Sequence, residues 1–124
     1  TDVTHATDTP GIDHKEHGLV KLGKGHSIQH GGANHPKIVE FIEGVAANKE
    51  IDLQHEATSV RTGTDTDSIF YQKTGIPSAL ISLPLRYMHS PVETASFQDI
   101  ESLIELMTET VLNMDPDQTF HVLK

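Results

Sequence analysis

The chain has 124 residues, enough for one modest core and not for two. Nine Lys and Arg stand against eighteen Asp and Glu, and the formal charge of -9 excludes nucleic acid and anionic membrane surfaces as expected partners. Hydrophobic residues make up 35% and aromatics 5%, so the core is thin; with no cysteine, disulfides and thiolate metal sites are excluded and a reducing cytoplasm fits.

The apolar stretches from Ile76 to Leu85 and Leu103 to Met107 fall far short of the roughly 20 residues that a membrane span requires. Nothing at the N-terminus reads as a secretion signal. The chain opens on Thr1-Asp2-Val3-Thr4 in a β-prone run without an initiator Met, and is read as a fragment.

Residues 1 to 7 alternate as a strand, which Asp8-Thr9-Pro10-Gly11 stops with a turn. Residues 12 to 34 are rich in Gly and His without apolar periodicity and are expected as surface-like loop, with one short strand near Ser27 to Gln29. Ile38, Phe41, Ile42 and Val45 then mark one face of a helix over 36 to 48, with Asn34 or His35 as N-cap and Pro36 in its first turn. A half-buried strand follows over 52 to 59, where Leu53, His55 and Ala57 alternate with polar residues.

Gly63-Thr64-Asp65 opens a helix of about ten residues that Gly75 is placed to end. Pro77 to Leu83 is a short apolar run suited to a central strand. After a loop over 84 to 95, Ser96 and Asp99 read as a capping pair for a last helix along Ile100, Leu103, Ile104, Met107 and Val111. Strands alternating with helices predict an α/β fold, a layered sheet with helices on both faces, and ligands in such sheets bind outside the strand ends. The turn after strand 1, the 60 to 65 turn and the 84 to 93 loop are therefore the candidate walls of a site.

Within the third wall, Arg86-Tyr87-Met88-His89-Ser90-Pro91-Val92-Glu93 gathers ionisable and hydroxyl groups. His89 can ligate a divalent metal through a neutral imidazole nitrogen, and Glu93 can orient the ring; a lone His beside a turn is more often a satisfied structural residue. Asp8 can point a carboxylate into a crevice or serve its own turn. Thr64 and Asp65 can cap a helix, or, with Gly63, present backbone N–H groups to a substrate. His14, Glu16, His17, His26, His30 and His35 are spaced irregularly and read as a solvated loop rather than a metal store. No serine-hydrolase elbow, phosphate loop or His-Glu-x-x-His is present.

Together, the segments from Asp2-Val3-Thr4 to Asp8-Thr9-Pro10-Gly11, Leu22-Gly23-Lys24-Gly25, Gly63-Thr64-Asp65 and Pro84-Leu85-Arg86-Tyr87-Met88-His89-Ser90 resemble the M42 metallo-aminopeptidases, the glutamyl aminopeptidase-like family, over residues 1 to about 112. The resemblance implies that residues 1–124 are the C-terminal part of a catalytic domain, without its N-terminal half and inserted β-rich domain. It implies two divalent ions, zinc or cobalt, per complete subunit, with Asp8 a terminal carboxylate of one ion and His89 the imidazole of the other. It also implies a general-base Glu upstream of this segment, substrate contacts at Gly63, Thr64 and Asp65, a second-sphere role for Glu93, peptide substrates, a cytoplasmic location and assembly into homo-oligomeric dodecamers. Arg61-Thr62-Gly63 departs from the family's more glycine-rich pattern. Two rival readings stay open: a non-catalytic packing or assembly piece, and a related two-metal hydrolase acting on another amide or a glycan.

Overall fold

The computed structural model describes residues 1–120, and for Glu16 and His17 the backbone alone. Its elements in chain order are β1 (Asp2–His5), α1 (His14–His17), β2 (His26–His30), α2 (Pro36–Asn48), β3 (Leu53–Ala57), α3 (Asp65–Phe70), β4 (Ile81–Leu85) and α4 (Phe97–Leu112). The strands form one sheet in the order β1-β4-β2-β3. β1 runs parallel to β4, β2 runs parallel to β3, and the central pair β4 and β2 is antiparallel. The fold is thus an α/β layered sheet, as expected, but its two long helices share one face of the sheet instead of covering both.

α2 forms because Pro36 supplies a preset first turn and because Val39, Ile42, Val45 and Ala46 recur on one face, which is buried. Since β2 and β3 are parallel, the chain needs a crossover between them, and α2 is that crossover. Its apolar face meets Ile28 of β2, Ile81 of β4 and Leu106 of α4 in a single core cluster. Ile28 and Ile81 are register partners, so both long helices cover the same face of the sheet. The other face is polar. Ser27 and Ser82 oppose each other there without solvent exposure, and the Glu56 carboxylate accepts from the hydroxyls of Ser27 and Thr4.

Several expectations are corrected. The 12 to 34 segment is surface-like only in part: its described residues before Val20 are exposed or half-exposed and the expected short strand is β2, but the helix α1 was not expected, and His26, Ser27 and Ile28 are wholly buried because β2 lies centrally between β4 and β3. The apolar run from Pro77 holds its strand at Ile81–Leu85, four residues later, so Pro84 belongs to the sheet rather than to the following loop. The β2–β4 pairing covers only Ile81 and Ser82, and the Leu85 carbonyl turns toward Ala6 after β1, so the missing Pro84 N–H falls on the side where pairing has ended. Finally, α3 has six residues rather than about ten, and Gly75 at φ 95° closes the irregular turn after it, its N–H bonding the Gln72 carbonyl.

At the last helix, Ser96 caps α4 as expected, its Oγ accepting from the Asp99 N–H. Asp99 does not return the cap. Its fully buried carboxylate instead accepts from Gly23 N–H at 2.7 Å and Gly25 N–H at 2.9 Å, fastening the glycine turn before β2 to the start of α4.

Candidate active site

The loop after β4 is a closed unit. Arg86 and Thr94 exchange backbone hydrogen bonds of 3.0 and 3.1 Å across its base, bringing both ends together. Within it Tyr87 and His89 adopt left-handed φ values of 56° and 64°, conformations that non-glycine residues hold only when their surroundings impose them. Two contacts impose them here. Ser90 Oγ donates to the Tyr87 carbonyl at 2.6 Å, and the His89 N–H donates to Glu93 Oε1 at 2.6 Å. Glu93 thus fixes His89 through its main chain.

Arg86 also reaches back to the turn after β1. Its Nη2 lies 2.6 Å from Asp8 Oδ2 and its Nε 3.3 Å from Asp8 Oδ1, so the guanidinium engages both carboxylate oxygens. These Arg86 hydrogen bonds hold the Asp8 carboxyl below its usual range, against the opposing effect of burial. The turn itself is closed by Thr9, whose N–H and hydroxyl both donate to the Ala6 carbonyl.

His89 lines a cavity of about 350 Å³ whose other walls include Asp2, Thr4, His5, Gln29, Gly63 and Thr64. Strand alternation explains part of the set: Asp2 and Thr4 share the polar face of β1, which the register continues through Ser82 to β2 and Gln29, whereas His5 joins from the end of the strand with the opposite parity. Asp8 is not among the walls; Asp2 is the carboxylate that is. The only signal for Asp2 was its place in the alternation of the first strand.

The wall opposite is the turn that opens α3. Thr64 is the N-cap, its hydroxyl accepting from Thr66 N–H, while Gly63 takes φ 76° with open space where a Cβ would point. Asp67 organises this turn by accepting from Thr62 N–H at 2.9 Å and Gly63 N–H at 3.0 Å, and these bonds, led by that to Thr62, lower its pKa. Asp65 sits in the first turn of α3, beside the wall rather than in it.

The histidines taken together as loop residues separate. His26 is buried on β2 beside Ser102, and desolvation lowers its pKa against the opposing charge of Asp99. His35 is the N-cap residue of α2. His30 meets His55 and Glu43, the one group among the described residues whose donor atoms converge as metal ligands do. The side chains of Glu16 and His17 lie outside the described residues. No described helix is long and apolar enough to cross a membrane.

The family profile of the M42 glutamyl aminopeptidases matches residues 1–106. The lysyl aminopeptidase of Pyrococcus furiosus is 36% identical over 96 residues, covering 77% of this chain and 28% of the relative. Among solved structures, an aminopeptidase of the archaeon Desulfurococcus kamchatkensis superposes with a TM-score of 0.83 at 33% identity, over 98% of this chain and 36% of that one. The TET1 peptidase of Pyrococcus horikoshii, described as assembling into a tetrahedron or a large octahedral shell, matches with a TM-score of 0.62 at 30% identity, over 77% of this chain and 28% of its own. The chain therefore spans about a third of the length of the proteins it matches.

Proposed function

The chain belongs to the M42 glutamyl aminopeptidase family, and from that membership we propose that the complete protein is a two-metal aminopeptidase to which this segment contributes part of the metal site and one wall of the substrate cleft. The observation that carries the reading is the shared cavity of Asp2 and His89. A carboxylate and an imidazole are ligand types that zinc and cobalt accept, so the residues present fit such an ion in kind. A catalytic zinc takes about three protein ligands, and the others, together with a general base, would come from elsewhere in the complete protein. When bound, the ions would polarise the scissile carbonyl and lower the pKa of a bound water.

The chain's own residues position and enclose. Asp2 and His89 present ligand atoms from a strand end and from a loop that Glu93 and the Arg86–Thr94 bridge hold in one shape. Asp8, expected from the sequence as a ligand, is here assigned to holding Arg86, and through it that loop. The turn Gly63-Thr64-Asp65 contacts substrate, with Gly63 and Thr64 in the wall. A cytoplasmic location, peptide substrates and assembly into closed homo-oligomeric shells are part of the same reading, the last supported by the shell-forming Pyrococcus horikoshii relative.

Aminoacyl reporters with free and with acylated amines, offered to the complete protein before and after chelation, test the proposal. Cleavage of the free amines alone, abolished by chelation and restored by zinc or cobalt, is expected. Chelator-insensitive cleavage would reject it.

A further inference from the structure

We propose that His30, Glu43 and His55 form a second binding site for a zinc-type divalent ion, on the face of the sheet opposite the Asp2 and His89 cavity. The register places the two histidines: Ile28 pairs with His55 and His30 with Ala57, so His30 and His55 are diagonal neighbours on the side that faces the helices. α2 crosses that side and sets Glu43 beside them.

Three ligand atoms converge. His30 Nε2 lies 2.9 Å from His55 Nδ1 and 3.4 Å from Glu43 Oε1, and His55 Nδ1 lies 3.5 Å from the same oxygen. Bonds of about 2.0 to 2.2 Å from zinc to imidazole nitrogen or carboxylate oxygen place tetrahedral ligands about 3.3 Å apart. The three separations therefore describe one face of such a tetrahedron, with the fourth corner left for water.

Among themselves the three ligand atoms share one hydrogen bond, that between the two ring nitrogens. Each neutral imidazole carries one N–H, and a proton placed between the two ring nitrogens leaves the Glu43 oxygen facing a lone pair. An ion serves all three donors at once. The imidazole pair favours zinc, cobalt or nickel over magnesium and calcium, which take oxygen. All three side chains are accessible, at 42%, 34% and 57% exposure for His30, Glu43 and His55, so the ion can enter without unfolding. Strand alternation keeps the site separate: Gln29, next to His30, lines the cavity on the other face.

The complete protein, stripped of metal with a chelator, is titrated with zinc against a chromogenic competitor, alongside the His30→Ala/His55→Ala double variant and Glu43→Gln. The native protein is expected to take up one equivalent more than the double variant, while Glu43→Gln weakens that equivalent at least tenfold and keeps the native circular dichroism. Aminopeptidase activity in saturating zinc stays equal in all three, so this site is read independently of the catalytic one. Equal zinc uptake by native and double-variant proteins would overturn the proposal; should the double variant fail to fold, unchanged zinc affinity in Glu43→Gln would do so.

Discussion

Asp8 and Arg86 are bound carboxylate to guanidinium across 78 residues of sequence, with contacts of 2.6 and 3.3 Å that tie the turn after β1 to the base of the His89 loop. The proposed function makes Asp8 a positioning residue. In the complete protein, Asp8→Asn is expected to keep the full metal content while activity falls roughly 10- to 100-fold, the size of effect that a small misplacement of a catalytic group produces. Metal analysis beside the rate measurement decides it; loss of one metal equivalent would make Asp8 a ligand instead.

The same pair predicts a pH signature. The Asp8 pKa is lowered from 3.8 on folding, so its contribution to stability is present above that value and disappears as pH falls through the folded pKa. The melting temperatures of native protein and Asp8→Asn should differ by a constant amount at neutral pH and converge below pH 3.8.

His26 gives a signature in a different window. Burial lowers its pKa from 6.5, so the unfolded chain takes up the proton first, and stability falls as pH drops below 6.5 toward the folded value. Denaturant unfolding at pH 7.5 and 5.5 should show a smaller loss in His26→Gln than in the native protein.

Buried Asp99 is predicted to matter more than its place at a helix start suggests. Asp99→Ala strands the N–H groups of Gly23 and Gly25 and is expected to cost about 2 to 4 kcal/mol, read from urea unfolding. Replacing an ordinary first-turn acid would cost well under about 1 kcal/mol.

Two glycines with similar backbone separate steric from conformational cost. Gly25 has φ 85°, and a Cβ there would collide with the backbone carbonyl of Asp52; Gly63 has φ 76° and open space. Gly63→Ala should cost about 1 to 2 kcal/mol, the left-handed penalty alone. Gly25→Ala should cost clearly more, because backbone must move.

Local signals carried the two long helices, and not α1 or the length of α3. α2 occupies the span that its apolar spacing and Pro36 predicted, and Ser96 caps α4 as expected. β4 was displaced because the apolar run from Ile76 to Leu85 is longer than the strand, and only pairing with β1 and β2 selects Ile81–Leu85. β2 read as surface because His26, Ser27 and Gln29 are polar, yet a central position in the sheet buries them.

The candidate site divides in the same way. His89 was legible because the loop after an apolar strand concentrates ionisable groups. Asp2 was not, since its face is fixed by register with Ser82 rather than by its neighbours in sequence. His30, Glu43 and His55 come from two strands and the crossover helix between them, and no spacing rule joins them before the chain is folded.

The most direct test is the metal content of the complete protein beside that of its His89→Ala variant, with aminopeptidase activity measured on the same samples. Loss of one catalytic metal equivalent, with activity reduced at least a thousandfold and the native fold retained, is the predicted result. A His89→Ala protein with unchanged metal content and full activity would contradict the assignment of this cavity as part of the active site.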